Sequence, residues 1–341
     1  MRVLVTGGCG FIGSCFIRTL LDEQPDASVV NLDLLTYAGN PANLADVEGS
    51  SRYAFVKGDI RDLELVSRLV SDVDQVVNFA AESHVDRSTS ERAGEFVDTN
   101  VYGAYVMLEA TRRHRPGARF LQVGTDEVYG SVGWPDFPDE QALLRPSSPY
   151  SAAKAAADHL TLAFHETHGL DTLVSRCTNN YGPYQYPEKL IPLFMTNAIE
   201  DEPVPLYDGG TQVRDWLRVE DHCRALLLLL QRGESGQVYN VGANQDPEVP
   251  NIELTHMILD ALDKPESLIQ PVEGLRPGHD QRYAVDTSKI RALGWEPELD
   301  VRGGIEKTAS WYRERRDWWG PIRSGAYREY YEEHYGTRLK S

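Results

Sequence analysis

Tyr150 and Lys154, four residues apart, could form an acid–base pair. Residues at this spacing lie on one face of a helix, so the lysine ammonium can approach the tyrosine phenol. A positive charge there would lower the phenol pKa from its usual value of about 10. The pair could therefore take a proton from a substrate hydroxyl and return it. The alternative is an exposed pair on a helix surface that has no chemical role.

Glycines recur near the N-terminus in the segment Gly7-Gly-Cys-Gly10-Phe-Ile-Gly13, directly after an apolar run and before a helical pattern. Glycines in this context let the backbone approach a pyrophosphate at the start of a helix. Asp33 follows the next apolar run, where a carboxylate can accept hydrogen bonds from the adenosine ribose and would repel a 2′-phosphate. The pattern predicts NAD, and not NADP, as the cofactor. The alternative is a glycine turn in a fold that binds no cofactor.

Two adjacent carboxylates follow a threonine in the segment Thr125-Asp126-Glu127, at the end of another apolar run. Two buried like charges are unfavourable unless one of them is protonated. Such a pair could supply one general acid and one general base. The alternative is a solvated acidic turn.

These residues lie in a chain whose first half alternates apolar runs with helical patterns. Strands are predicted at 2–6, 28–32, 53–56, 75–79, 119–123 and 172–176, and helices at 11–21, 63–71, 95–114 and 150–168. Continuous apolar strands between amphipathic helices predict a parallel sheet that is covered on both faces. We therefore expect an α/β fold with a Rossmann-type doubly wound parallel sheet, which binds ligands at the carboxyl ends of its strands.

The second half has a different composition. Segment 179–187 is rich in Asn, Tyr, Gly and Pro, which predicts loops that line a site, and segments 237–241, 253–262 and 281–285 indicate a smaller mixed α/β lobe. We expect residues 1–178 to form the NAD-binding domain, with the chain crossing back from the C-terminal half, and residues 179–341 to form a substrate lobe. Aromatic residues between 311 and 335 indicate that the tail packs against the protein, since exposed they would form a large apolar patch.

Composition excludes several classes of protein. The 34 basic and 52 acidic residues give a formal charge of −18, whereas a protein that binds nucleic-acid phosphates needs a basic face. We find neither the run of about 18 apolar residues that a membrane helix needs nor a signal peptide before the glycine segment. The four cysteines lie too far apart for a Cys-x-x-Cys pair, which argues against a disulfide framework or structural zinc. We expect a cytoplasmic protein without nucleic-acid, membrane or metal partners.

Together, the Tyr–Lys pair and the glycine segment resemble those of the short-chain dehydrogenase/reductases. The Gly-x-x-Gly-x-x-Gly spacing is similar to that of their extended branch, which acts mostly on nucleotide sugars. Thr125-Asp126-Glu127 resembles the Thr-Asp-Glu of the nucleoside-diphosphate-hexose 4,6-dehydratases. Further segments are similar to the dTDP-glucose 4,6-dehydratases of that group, and the similarity covers essentially the whole chain: 35–40, 80–88, 179–183, 187–192, 214–217, 276–280 and 324–327.

The resemblance implies roles for particular residues. Tyr150 would be the acid–base group, assisted by Thr125 and by Lys154, which also holds the nicotinamide ribose; Asp126 would be the general acid and Glu127 the general base. NAD would contact Gly7, Gly10, Phe11, Ile12, Gly13, Asp33, Thr36, Asp59, Ile60, Phe79, Ala80, Ala81, Ser83, Thr99, Tyr150, Lys154 and Asn180. The nucleotide sugar would contact Ser83, Thr125, Asn179, Lys189, Leu190, Pro205, Tyr207, Arg214, Asn251, Arg276, Asp280 and Tyr335.

The reaction implied is oxidation of a nucleotide-bound glucose at C4, loss of water across C5 and C6, and return of the hydride to C6. The resemblance also implies a homodimer formed through the helices at 95–114 and 150–168. Three alternatives stay open: a 4-epimerase of the same fold, which has no use for Asp126 and Glu127, a 4,6-dehydratase of another nucleotide sugar, and an NAD-binding scaffold without catalysis.

Overall fold

The computed structural model describes residues 1–83, 93–272 and 281–324. Its strands are β1 (Arg2–Thr6), β2 (Ser28–Asp33), β3 (Tyr53–Lys57), β4 (Gln75–Asn78), β5 (Arg119–Thr125), β6 (Thr172–Cys177), β7 (Asn179–Tyr181), β8 (Val204–Tyr207), β9 (Val213–Arg214), β10 (Trp216–Arg218), β11 (Gln237–Val241), β12 (Val249–Pro250) and β13 (Ile269–Val272).

Its α-helices are α1 (Phe11–Glu23), α2 (Leu63–Val70), α3 (Ala93–Phe96), α4 (Ala104–His114), α5 (Pro149–His168), α6 (Leu190–Ile199), α7 (Val219–Arg232), α8 (Asn251–Ala261), α9 (Ser288–Arg291), α10 (Val301–Glu314) and α11 (Arg316–Ser324). A π-helical segment, Val97–Gly103, joins α3 to α4, and a 3₁₀ helix, Asp126–Tyr129, follows β5. None of the helices in the described part of the chain has both the length and the apolar character needed to cross a membrane.

Seven strands form one parallel sheet in the order β11-β6-β5-β4-β1-β2-β3. The strands are buried apolar runs, as in Val3–Val5 of β1, and helices cover both faces: α1 contacts α7, while α4 contacts α2 and α5. This architecture confirms the expected Rossmann-type fold. The strand order reverses between β1 and β4, and in such sheets ligands bind at the carboxyl ends of the strands beside that reversal.

The chain divides into two compact units. The first comprises residues 1–178, 219–242 and 283–296, and the second comprises 179–218, 243–282 and 297–341. We placed segments 237–241 and 281–285 in the smaller lobe, and for 237–241 this is wrong. That segment is β11, which pairs in parallel with β6 at the sheet edge, because its buried residues Val238, Tyr239 and Val241 extend the apolar sheet. Residues 283–285 also belong to the first unit, and the segment contributes only an isolated bridge at Arg282.

The second unit is built around α6, α8 and α10, whose apolar side chains form one core. Its strands make three short pairs: β7 with β10, β8 with β13, and β9 with β12. The prediction that 179–187 is loop is therefore wrong for Asn179–Tyr181, which is β7. In the tail, Trp318 and Trp319 are buried in this core as expected, while residues 325–341 lie outside the described part of the chain.

Candidate active site

The glycine turn sits where the strand order reverses. Gly7 follows β1 with φ +67°, and a Cβ on it would lie 2.8 Å from the backbone nitrogen of Ala80, just after β4. A Cβ on Gly13, in the first turn of α1, would lie 2.4 Å from the Gly7 carbonyl oxygen. No side chain among the described residues caps α1 at Gly10. The N-cap of α1 is therefore a glycine, and no capping side chain competes with a pyrophosphate for the backbone N–H groups of the first turn.

Asp33 ends β2 and is buried beside this turn. Its Oδ2 accepts a hydrogen bond of 2.9 Å from the Cys9 backbone N–H, and its Oδ1 accepts one of 2.8 Å from Leu35. Burial raises the pKa of Asp33, and these two hydrogen bonds oppose the rise. The carboxylate is thus fixed in direction and keeps further lone pairs for a ribose hydroxyl.

The other residues expected at the adenine side lie in the loops that follow β2 and β3. Thr36 is exposed in the first loop. Asp59 is fixed by Arg61, whose Nη2 lies 2.6 Å from its carboxylate. Burial raises the pKa of Asp59, but the Arg61 guanidinium outweighs it and brings the pKa below its usual value. Ile60 is buried against Gly103 of the π-helical segment.

The segment after β4 carries Phe79, Ala80, Ala81 and Ser83. The Phe79 ring packs on Phe16 of α1 at 5.3 Å, and Ser83 is exposed. Asn100, which we did not predict, holds this segment: its side chain bonds both the N–H and the C=O of residue 82, at 2.8 and 3.0 Å. Asn100 follows Thr99 in the π-helical segment, and no sequence motif marked it.

Tyr150 and Lys154 are both buried on α5. The helix begins at a capping box between Ser148 and Ser151, with Pro149 in the first turn, so Tyr150 is held close to a rigid helix start. The Lys154 ammonium donates a hydrogen bond to the carbonyl of Val123 on β5. The helix thus presents both side chains to the carboxyl end of the neighbouring strand.

The pKa of Tyr150 lies well above its usual value of 10.0, opposite to our expectation. Burial is the largest cause, and the Glu127 carboxylate raises the pKa further, whereas a hydrogen bond with the Thr125 side chain lowers it. The hydrogen bond of the Lys154 ammonium goes to the Val123 carbonyl, so any effect of Lys154 on the phenol comes through its charge. Burial also lowers the pKa of Lys154 itself, and the carboxylate of Asp158 opposes that change.

The acidic pair lies beside this tyrosine. Thr125 ends β5, and its Oγ1 accepts a hydrogen bond of 3.3 Å from the Glu127 N–H, which starts the 3₁₀ helix. The same hydroxyl lies 3.4 Å from Asp126 Oδ1. Asp126 is 3% exposed and Glu127 is half-buried, so the pair is not a solvated turn. The first unit therefore brings Thr125, Asp126, Glu127, Tyr150 and Lys154 together at the carboxyl end of β5.

In the second unit, most of the residues expected to contact substrate lie at the ends of short strands and helices. Asn179 begins β7, Lys189 and Leu190 begin α6, Pro205 and Tyr207 lie on β8, Arg214 on β9, and Asn251 begins α8. Asn180, which was expected to contact NAD, follows Asn179 on β7. Residues Arg276, Asp280 and Tyr335 fall outside the described residues.

Three of these elements meet at the start of α8. Arg214 pairs with Val249, two residues before Asn251, and the turn after β8 approaches so closely that a Cβ on Gly210 would lie 2.8 Å from the Ile252 nitrogen. Arg214 is 6% exposed, and its Nη1 donates hydrogen bonds to the carbonyls of Val213 and Gln281. A buried, pre-oriented guanidinium of this kind can bind a phosphate through two donors.

Within residues 1–83, 93–272 and 281–324, no three His, Cys, Asp or Glu side chains are grouped as metal ligands would be. The four cysteines are buried free thiols.

Comparisons with known proteins agree with this geometry. The family described as GDP-mannose 4,6 dehydratase matches residues 4–308. The dTDP-glucose 4,6-dehydratase of Streptomyces niveus is 51% identical over 95% of this chain and 96% of its own. The crystal structure of the dTDP-glucose 4,6-dehydratase of Streptomyces venezuelae, which has NAD bound, is 48% identical, covers 94% of this chain and 100% of its own, and superposes with a TM-score of 0.90.

A protein of different activity shares the fold at lower identity. The UDP-glucuronic acid 4-epimerase of Bacillus cereus, in complex with UDP-glucuronic acid and NAD, is 26% identical, covers 92% of this chain and 100% of its own, and has a TM-score of 0.86. Fold alone therefore does not separate dehydratases from epimerases, whereas sequence identity over the whole chain does. This chain belongs to the dTDP-glucose 4,6-dehydratase family.

Proposed function

We propose that this protein dehydrates dTDP-glucose to the 4-keto-6-deoxy sugar and uses NAD as its cofactor. The observation that carries the proposal is the buried turn Thr125-Asp126-Glu127 next to the buried Tyr150. The 51% identity to a dTDP-glucose 4,6-dehydratase supports the choice of substrate. The protein is accordingly a lyase of the extended short-chain dehydrogenase/reductase type.

The residues of the first unit fit a dinucleotide. The start of α1, which no side chain among the described residues caps, suits a pyrophosphate. The fixed carboxylate of Asp33 suits a ribose diol and disfavours the 2′-phosphate of NADP. NAD held there would supply the hydride acceptor for oxidation at C4 and the hydride for reduction at C6. The first unit is thus the proposed cofactor domain. It carries the NAD contacts expected from the resemblance except Asn180, which belongs to the second unit.

Tyr150 takes the proton of the O4 hydroxyl when C4 is oxidised. Each unit by which the tyrosine pKa exceeds the working pH lowers the reactive phenolate fraction about tenfold. Burial and Glu127 raise that pKa, so a hydrogen bond from Thr125 and a positive charge on Lys154 are needed to bring the phenol into its working range. Lys154 therefore acts by its charge, and it also holds the nicotinamide ribose.

The acidic pair carries out the elimination. Oxidation at C4 acidifies the C5 proton, which Glu127 removes as general base, while Asp126 protonates the departing C6 hydroxyl as general acid. The two roles need one ionised and one protonated carboxyl, which two adjacent carboxyls that share one proton would provide. An epimerase has no step that requires this pair.

The second unit binds the nucleotide portion of the substrate. Lys189 and Arg214 clamp the diphosphate, since a lysine provides a point charge and an arginine a planar fork. The buried guanidinium of Arg214 supports this assignment. Asn179, Leu190, Pro205, Tyr207 and Asn251, with Arg276, Asp280 and Tyr335, complete the proposed contacts.

We also propose a homodimer in the cytoplasm. Val97, Tyr102 and Tyr105 are 53%, 53% and 40% exposed, and Tyr105 contacts Phe164 of α5 edge-on at 6.2 Å. This apolar surface runs over the π-helical segment, α4 and α5, and a second copy would cover it. The four free thiols support a reducing compartment. Sedimentation that shows only monomer at micromolar concentration would exclude the dimer.

The test is incubation with dTDP-glucose, followed by the alkali-induced absorbance of a 4-keto-6-deoxy product. Glu127→Gln and Asp126→Asn should retain NAD binding and C4 oxidation but stop before product. Glu127→Gln should slow exchange of the C5 hydrogen with solvent deuterium more than Asp126→Asn does. Asp136→Asn, which alters an exposed carboxylate beyond the turn, is the matched control and should behave like the wild type.

Two results would overturn the proposal. If both variants turn over like the wild type and the product is a C4 epimer, the protein is a 4-epimerase, which the shared fold of the Bacillus cereus enzyme allows. If another nucleotide sugar is converted faster than dTDP-glucose at equal concentration, the substrate is that sugar.

A further inference from the structure

Tyr150, Lys154 and Asp158 follow one another at four-residue intervals and therefore lie along one face of α5. Asp158 is 0% exposed, and its Oδ1 has no hydrogen-bond partner among the described residues. A buried carboxylate is unfavourable unless opposite charges surround it. Lys154 provides one such charge from the preceding turn of the helix, because the two groups stabilise each other's charged forms.

Arg176 on β6 provides the second charge. Its Nε donates a hydrogen bond of 2.9 Å to Asp158 Oδ2, and both side chains are almost completely buried. Its Nη1 donates a second bond of 2.9 Å to the hydroxyl of Tyr129, and the guanidinium lies 5.1 Å from the centre of that ring. The Tyr129 hydroxyl in turn donates to Asn240 Oδ1 at 2.8 Å. Tyr129 ends the 3₁₀ helix that begins with the two catalytic carboxylates.

Gly124 has no side chain, and the ion pair occupies the space that a side chain there would need. It lies on β5 directly before Thr125, and a Cβ on it would lie 3.0 Å from Asp158 Oδ1 and 2.6 Å from the Ser175 carbonyl. Gly124 is also the register partner of Arg176 across β5 and β6. The ion pair is therefore packed directly beneath the strand that carries Thr125.

We propose that Asp158 and Arg176 are positioning residues that keep Lys154 protonated and hold the acidic turn opposite Tyr150. The inference rests on the proposed function, because it assigns these residues to the acid–base chemistry of that reaction. The ion pair links the Tyr150–Lys154 pair to the acidic turn. Asp158 lies one helical turn beyond Lys154, and Arg176 is bonded to Tyr129, the last residue of the turn that begins with Asp126.

Lys154, Asp158 and Arg176 form a line of groups whose charges alternate in sign. Burial lowers the pKa of Lys154 and so favours loss of its proton, and the Asp158 carboxylate opposes that loss. Burial likewise raises the pKa of Asp158, and the Arg176 guanidinium opposes it first, followed by Lys154. The other titratable or charged groups that act on this line among the described residues are Tyr150 and His159 on α5, Cys177 on β6, Asp126, Glu127 and Tyr129 in the 3₁₀ helix, and Glu140, whose carboxylate acts on Tyr129.

The decisive experiment is the pH dependence of C4 oxidation in Asp158→Asn, measured in single turnover by the absorbance of the reduced cofactor. Without the carboxylate, Lys154 loses its proton more readily, and the phenol of Tyr150 needs a higher pH to ionise. The rising limb of the rate should move upward by about one pH unit or more, which makes oxidation about tenfold slower on that limb. The KM for dTDP-glucose should change less than about twofold, since no substrate contact is lost.

Two further variants separate chemistry from folding. Asp171→Asn is the matched control: Asp171 bonds Arg119 Nε at the same 2.9 Å, at the opposite ends of β5 and β6, and its loss should leave the pH profile unchanged. If Asp158→Asn does not fold, Asp158→Asn/Arg176→Gln removes both charges of the ion pair, leaves no unpaired guanidinium beside the new amide and is the more tolerated change. The double variant should shift the limb in the same direction.

The outcomes are distinct. If the unaltered enzyme does not convert dTDP-glucose, the proposed function is wrong. The inference is overturned if the unaltered enzyme converts dTDP-glucose but Asp158→Asn and the double variant keep the wild-type position of the rising limb of the pH–rate profile. Variants that lose only stability or the amplitude of cofactor reduction would show that the ion pair is merely structural. A shift in Asp171→Asn equal to that in Asp158→Asn would also overturn it.

Discussion

Gly13→Ala tests whether the glycine turn holds the cofactor through close backbone approach. The added Cβ would lie 2.4 Å from the Gly7 carbonyl oxygen and 2.8 Å from the Gly8 Cα, and ordinary contact begins at 3.4 Å. These neighbours are backbone atoms, which cannot rotate away as a side chain would. The glycine turn and the first turn of α1 must therefore separate by about 1 Å.

The magnitude follows from two opposing effects. Alanine is more favourable than glycine inside a helix by about 0.5–1 kcal/mol, whereas forcing extra atoms into a packed region costs about 1–3 kcal/mol. The free energy of unfolding should fall by about 0–2.5 kcal/mol. The donors to the pyrophosphate move by the same distance, and displacement on this scale weakens a positioned contact by up to about 100-fold. We expect the NAD affinity to fall about 10–100-fold.

Calorimetric titration of the nucleotide-free protein with NAD measures the affinity, and thermal unfolding measures stability. Gly94→Ala is the control, because Gly94 also lies in the first turn of a helix and a Cβ on it would meet no atom within 4 Å among the described residues outside its own helix. The control should bind NAD like the wild type. If Gly13→Ala also binds NAD with unchanged affinity, the pyrophosphate does not depend on this close approach and the reasoning is refuted.

Asp33→Ala should weaken NAD binding and let NADP compete, and equal affinity of the wild type for the two nucleotides would contradict the role of Asp33. Tyr150→Phe retains the ring that packs edge-on against Phe96 at 6.3 Å, so kcat should fall about 10²–10⁴-fold in a steady-state assay while the Tm stays close to that of the wild type. Hydrogen bonds from Arg112, aided by a second arginine, hold the pKa of Glu109 at about 2, below its usual 4.5. Its stabilisation is therefore complete above pH 4.5 and is lost as the pH falls toward 2. The Tm difference between wild type and Glu109→Gln should shrink over that range, and a constant difference would show that the ion pair does not stabilise the fold.

The sequence by itself determined the cofactor fold and the family. The alternation of apolar runs with helical patterns encodes a parallel sheet, because strand and helix periodicities are local properties of the chain. The positions of the glycine turn after β1, of Asp33 at the end of β2 and of Tyr150 at the start of α5 follow directly from that order. Adjacent carboxylates at the end of a buried strand suggested a site and not a solvated turn, and the burial of Asp126 agrees with that interpretation.

Tertiary structure decided two features that depend on which strands pair and in what register: the place of β11 and the partners of the buried charges on α5. β11 is the edge strand of the main sheet, although its sequence position indicated the smaller lobe. The ammonium of Lys154 bonds a carbonyl 31 residues away, and Arg176 joins Asp158 and Tyr129, which are 18 and 47 residues from it. Helical spacing places Lys154 near Tyr150. The hydrogen bond that its ammonium makes, and the pKa of that ammonium, depend on burial and on partners on β5 and β6. Such partners are brought together only by folding, and no local pattern in the chain specifies them.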